Sequence, residues 1–334
     1  MTNVVIDYSA LKFNTEGIPV SKIIPDTVIV TEDIVAQIMG VIFVIGILCC
    51  IALSIYFFYH RKEKIIKKTS PLFGQLMLLG IIFVFISQII WAFQPSRLSC
   101  ILKVWFAAVG FGLIMGNLLA KTYRIFKVFN NIQVTSLVIR DLDLLKFSGA
   151  IVGIEVLLLV IYTFFLGTVD AYLTSSTTVT LYEYFSCQVP DDQTQNIMLG
   201  IFIGVNTFLV LMGAVIAYLT RNVDSAFNES QQIATTMYVY FACGVIFIPI
   251  YFFIGDGRDS VSAKFLLRSV GVAIAMYATL IILFFPKVKT LVKYKKELTK
   301  TSTSNSREGG GGSSGRITEI TGSGSVEFLS QQEY

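Results

Sequence analysis

Seven stretches of this chain are each long and apolar enough to cross a lipid bilayer: 34–59, 72–93, 100–120, 144–169, 196–219, 232–254 and 265–285. A helix needs about 20 mostly apolar residues to pass through roughly 30 Å of hydrocarbon, where only an internally bonded backbone is tolerated. Charged or turn-rich breaks separate the runs: HRKEKIIKKTSP after the first, QPSR after the second, GDGRDS after the sixth. The expected fold class is an all-α membrane protein, a seven-transmembrane helix bundle over residues 34–286. Composition agrees with this. Hydrophobic residues make up 54% and charged residues 14% of the chain, against roughly 25% charged in a soluble domain. A soluble enzyme and a disordered regulator are therefore poor readings. Five Cys cannot build a staple framework, and a single His (His60) leaves little for zinc, so no metal or cofactor is expected. A net charge of +4 is too mild to imply nucleic acid.

The charges fall unevenly between the spans. With the N-terminus outside, the outer segments total −6 and the inner segments +8. Lys and Arg concentrate in short inner loops, where the positive-inside rule has most force. The expected topology is N-terminus out and C-terminus in, because seven is odd. Residues 1–33 form a short extracellular segment without the basic start and apolar core of a secretory signal. Residues 287–300 carry six Lys and one Glu, which reads as a juxtamembrane segment held to anionic membrane lipid. From 301 to 334 the chain is rich in Gly, Ser and Thr and is expected to be a disordered cytoplasmic tail. The one glycosylation sequon, Asn228-Glu229-Ser230, falls on the cytosolic side of this map.

A few residues carry more than hydrophobicity. Cys100 opens the third span and Cys187 lies in the second outer loop, so a disulfide between them would pin that loop across the bundle mouth. Lys121 ends the third span and Glu229 precedes the sixth, so the two can meet at the inner rim if their helices are neighbours. Alternatively Lys121 snorkels to lipid phosphate, and Glu229 is an ordinary helix-start acid. Glu155 is an acid deep in the fourth span, neutral or bonded to a Ser or Tyr of a neighbouring helix. Arg268, near the outer end of the seventh, faces a ligand vestibule or reaches the headgroups. Pro249 inside the sixth span, with Gly244 five residues before it, and Pro286 at the end of the seventh are expected hinges, since proline removes a helical hydrogen bond.

The motifs together resemble the seven-helix domain of class C G protein-coupled receptors, close to the metabotropic glutamate and GABA type B branches. They are TSP before span two, Cys100, AKTYR at the inner end of span three, IRDLDLL before span four and YEYFSC around Cys187. YLTRNV closes span five, FNE and TMY open span six, and FIPIYF and FPKV mark spans six and seven. The likeness covers about 34–296. It implies a receptor of the cell membrane that signals to a heterotrimeric G protein, as a homo- or heterodimer. It also implies that Lys121 and Glu229 form an ionic lock between helices three and six, and that Cys100 and Cys187 form the loop disulfide. Phe285, Pro286 and Lys287 occupy the exit motif of span seven. Gly244 stands where the glutamate branch has a Trp, so a Trp-driven switch is not expected. The family binds amino acids in a large extracellular domain; either such a domain stands upstream, with YSALKFNTEGIPV as its last strand and turn, or the protein signals without one. No ligand residue is assigned in this chain.

Two other classes of function compete. A carrier or channel would use Glu155 and Arg268 as a relay, but transport sites call for several midplane polar residues and broken helices in matching halves. A retinal protein needs a Lys deep in the last span, and 265–285 contains none. Enzyme chemistry is not expected, for want of a nucleophile–base pair.

Overall fold

A computed structural model gives the structure of residues 34–63, 71–93, 96–130, 141–165, 170–176, 182–188, 192–219, 228–254 and 258–308. Residues 64–70 of the charged first loop, 131–140 and 220–227 of the other inner loops, the tail from 309 and the segment 1–33 lie outside these described residues. Seven helices long and apolar enough to span a membrane stand among them. They are α1 (Ile34–Tyr59), α2 (Pro71–Ala92), α3 (Arg97–Asn130), α4 (Asp141–Val160), α5 (Asp192–Leu219), α6 (Asn228–Phe253) and α7 (Arg258–Thr279). A π-helical turn, Ile161–Phe165, closes α4, and another, Leu280–Phe284, joins α7 to α8 (Phe285–Glu308). Between α4 and α5 the strands β1 (Asp170–Ser176) and β2 (Tyr182–Gln188) pair antiparallel, with Ala171 opposite Cys187.

Three boundaries differ from the sequence expectation. α3 runs ten residues beyond Ala120, because KTYRIFKVFN holds no Gly or Pro and continues a helix already nucleated. Pro286 does not end the seventh helix. The N–H of Phe285 bonds the carbonyl of Leu280, five residues back, so the ladder has widened to π spacing before it meets the proline. The missing proline donor is absorbed there and the helix continues. The tail expected to be irregular from Thr301 is helical as far as Glu308, just short of the four glycines Gly309–Gly312 of the sequence.

α1 packs on α2, α5 on α6 and α6 on α7, α7 returns to α1, and α3 runs through the middle against α2, α4, α5 and α6. Its central place follows from small residues. A Cβ on Gly80 would stand 2.7 Å from the carbonyl oxygen of Gly110, and one on Gly110 would stand 2.7 Å from that of Gly80. Only glycine on both helices permits this crossing. One turn and a half further on, Gly116 lies against the backbone of Ser148 on α4. Phe43, Met77, Ile81, Phe85, Met115, Leu118 and Met237 fill the interior, while Val41, Leu48, Phe208, Val215 and Ile246 point outward. Outward apolar faces with polar side chains inside are what a lipid solvent requires. Those inner polar groups tie helices together. The Tyr277 hydroxyl donates to the Ile42 carbonyl at 2.6 Å, and the hydroxyls of Tyr240 and Thr279 share a 2.9 Å bond.

Candidate functional site

At the end of the bundle where α3 finishes and α6 begins, three charged side chains converge. Lys121 extends from α3, and its Nζ donates to Glu229 Oε1 at 2.7 Å. Lys287, two residues into α8, donates to the same oxygen at 2.8 Å. Each position follows from local sequence. Glu229 is the second residue of α6, where an acid meets the positive end of the helix dipole. Lys121 lies inside α3 rather than at its tip, because that helix continues to Asn130. The π turn before Pro286 inserts an extra residue into the helical repeat, which rotates the face that follows it. Lys287 therefore meets α6 rather than the headgroups.

The cluster is partly buried: Lys121, Lys287 and Glu229 retain 11%, 19% and 30% of their side-chain exposure. Solvent screens such charges less than it screens a surface pair, and removing one partner leaves the rest under-compensated. One carboxylate thus ties the ends of three helices. Thr122, beside Lys121, bonds back to the Leu118 carbonyl, and Leu118 and Leu119 are fully buried below it, so the lysine's base is rigidly placed. The sequence reading brought Lys121 and Glu229 together and assigned Lys287 to the exit motif, without a partner. The missed signal was position: a Lys directly after the span-seven proline stands level with the start of span six.

At the other end of the bundle Cys100 and Cys187 are joined by a disulfide. It fastens β2 to the first turn of α3 and so holds the hairpin beside the mouth. Trp105, one turn further along α3, donates Nε1 to Thr163 in the π turn after α4 at 3.1 Å.

The other predicted residues are scattered. Glu155 is fully buried on α4, packed on Gly112 of α3, and neither of its carboxyl oxygens has a hydrogen-bond partner. Asn206 of α5 approaches without closing a bond, so the expected Ser or Tyr partner is not there. Arg268 does not extend to the headgroups. Its guanidinium stacks on Trp91 of α2, 3.7 Å from the ring centroid. Glu155 therefore belongs to the α3–α4 seam and Arg268 to the α2–α7 seam, which gives no support to a shared relay. Pro249 stands inside an unbroken α6, with Gly244 one turn and a half before it.

The sequence that forms this seven-helix bundle matches a known family. The family model described as the seven-transmembrane sweet-taste receptor of class 3 G protein-coupled receptors covers residues 29–287. The chain belongs to that family. Among its relatives, metabotropic glutamate receptor-like protein F of Dictyostelium discoideum is 28% identical over 272 residues, which is 80% of this chain and 35% of that protein. Protein J of the same organism is 32% identical over 205 residues, 61% of this chain and 26% of the relative. The gamma-aminobutyric acid type B receptor subunit 2 of Caenorhabditis elegans is 26% identical over 268 residues, 76% of this chain and 31% of that subunit. The chain thus spans about a third of the length of these relatives. It is a multi-pass protein of the cell membrane in a family of receptors, not of enzymes.

Proposed function

We propose that this chain is the signal-passing domain of a class C receptor, with its N-terminus outside, its C-terminus inside, and a heterotrimeric G protein as its inner partner. The observation that carries the reading is the single carboxylate of Glu229 held by Lys121 and Lys287. Closed, this clasp keeps the ends of α3, α6 and α8 together. An extracellular signal that separates α6 from α3 breaks it and opens an inner cleft for the G protein. The inner loops at 130–143 and 221–230 and the basic loop after α1 supply further contacts. A two-state equilibrium moves tenfold for about 1.4 kcal/mol, which a partly buried ion pair can provide. The basic residues after Lys287 as far as 300, on a helix continuous with α7, rest on anionic lipid. A relative named as a receptor subunit supports assembly as a homo- or heterodimer.

The test is ligand-free activation. Lys121→Ala, expressed at the cell surface as well as the parent chain, is expected to raise guanine-nucleotide exchange on G proteins severalfold. An unchanged basal rate refutes the clasp.

A further inference from the structure

Two cations stand at the hairpin end, Lys103 buried and Arg268 half-buried with its Nε and Nη2 atoms covered, and no carboxylate among the described residues meets either. Lys103, only 5% exposed, lies one turn after the disulfide-bonded Cys100, and its Nζ stands 3.6 Å from the Trp91 ring centroid. The Arg268 guanidinium stands 3.7 Å from the same centroid. Both cations therefore lie against the same indole. Among the described residues no carboxylate pairs with either. Attraction to the ring offsets part of the cost of burying each charge, but it satisfies no N–H donor and does not remove the repulsion between the two cations.

The unsatisfied atoms are specific. Arg268 leaves Nε and Nη2 buried and unbonded. These two nitrogens share one edge of the guanidinium plane, the edge that takes an oxyanion through two parallel hydrogen bonds. Gln88, three residues before Trp91 and so on the same side of α2, also leaves Oε1 unbonded. A seam with two uncompensated charges and several idle polar atoms is an incomplete binding site rather than a finished core.

We propose that the Arg268–Trp91–Lys103 stack is a receptor site for an oxyanion, a carboxylate or phosphate group, bound bidentate by Arg268 with Lys103 supplying the second charge. Trp91 fixes the two cations so that neither swings to solvent, and the hairpin fastened through Cys100–Cys187 lies over the adjoining turn of α3. A monatomic halide can bridge both N–H groups of the fork, but it offers one acceptor atom instead of two in parallel, so it is expected to bind more weakly. The Arg268 edge is covered by neighbouring protein atoms, so binding displaces a side chain and couples the anion to the packing of α2, α3 and α7. The group can come from a soluble anion or from a lipid headgroup, and the experiment separates the two.

The full chain carrying Trp105→Phe, which leaves Trp91 as its one Trp, is placed in phosphatidylcholine nanodiscs. Trp91 emission is followed while inorganic phosphate is added, and separately in discs doped with phosphatidic acid. A saturable change with phosphate assigns a soluble anion, and one with phosphatidic acid alone assigns a headgroup. Either result supports the site, provided chloride at equal ionic strength gives a clearly weaker one. Arg268→Gln is expected to abolish the response, and Arg268→Lys, which keeps the charge without the fork, to weaken it roughly tenfold. If the Gln variant fails to fold, the Lys variant decides. No saturable change with either probe, an equal response to chloride, or undiminished binding in a folded Arg268 variant overturns the proposal.

Discussion

At the scale of single residues, the sharing of Glu229 Oε1 between two lysines makes the expected mutant effects unequal. Glu229→Gln removes the one negative charge and leaves Lys121 and Lys287 facing each other across a partly buried gap. Lys287→Ala leaves the 2.7 Å bond to Lys121 in place. Basal G protein activation should therefore rise most in Glu229→Gln and least in Lys287→Ala, measured at matched surface expression. The charge swap Lys121→Glu with Glu229→Lys restores one pair but sets a lysine at 229 against Lys287. Only partial recovery of the quiet state is expected, and complete recovery would show that Lys287 contributes nothing. Spacing alone put Lys121 and Glu229 at the inner rim without deciding whether they meet, and their pairing was implied only by the family resemblance. The place of Lys287 beside them was not readable, since its orientation depends on a π turn that no propensity announces. The same holds for Arg268: its place on a span was plain, but whether it faced lipid or Trp91 depended on how α2 and α7 pack.

Among the helices, glycine decides how closely α3 can be approached. Gly110→Ala would put a methyl group 2.7 Å from the Gly80 carbonyl, and neither backbone can yield without separating α2 from α3. Overpacking of this kind costs about 1–3 kcal/mol, so a lower melting temperature in detergent is expected. Gly149→Ala meets nothing within 4 Å and should melt like the parent. Pro286 gives the second expectation at this scale. The ladder has already widened around it, so Pro286→Ala should leave the helical content seen by circular dichroism unchanged; a marked gain would show that the proline had interrupted the helix. Helix number and order could be read directly, because twenty apolar residues between charged breaks admit little else. Ends were less legible. Apolar runs mark where lipid begins, whereas α3 and α8 stop where their hydrogen-bond ladders do, ten residues past Ala120 and at Glu308.

Over the whole molecule the two ends differ in kind, one closed covalently and the other by charge. The Cys100–Cys187 bond spans 87 residues of chain, and a cross-link of that reach typically contributes about 2–4 kcal/mol. Cys100→Ser should lower the melting temperature and free the hairpin, seen as faster amide exchange in β1 and β2. On the proposed reading, a fixed end and an end that opens make a lever, with α3 as the member common to both. The most direct measurement is ligand-free guanine-nucleotide exchange on G proteins in membranes holding equal amounts of the parent chain and of Glu229→Gln. A severalfold higher rate in the variant is expected if the clasp holds the bundle shut. Equal rates, with the variant folded and at the surface, would contradict it.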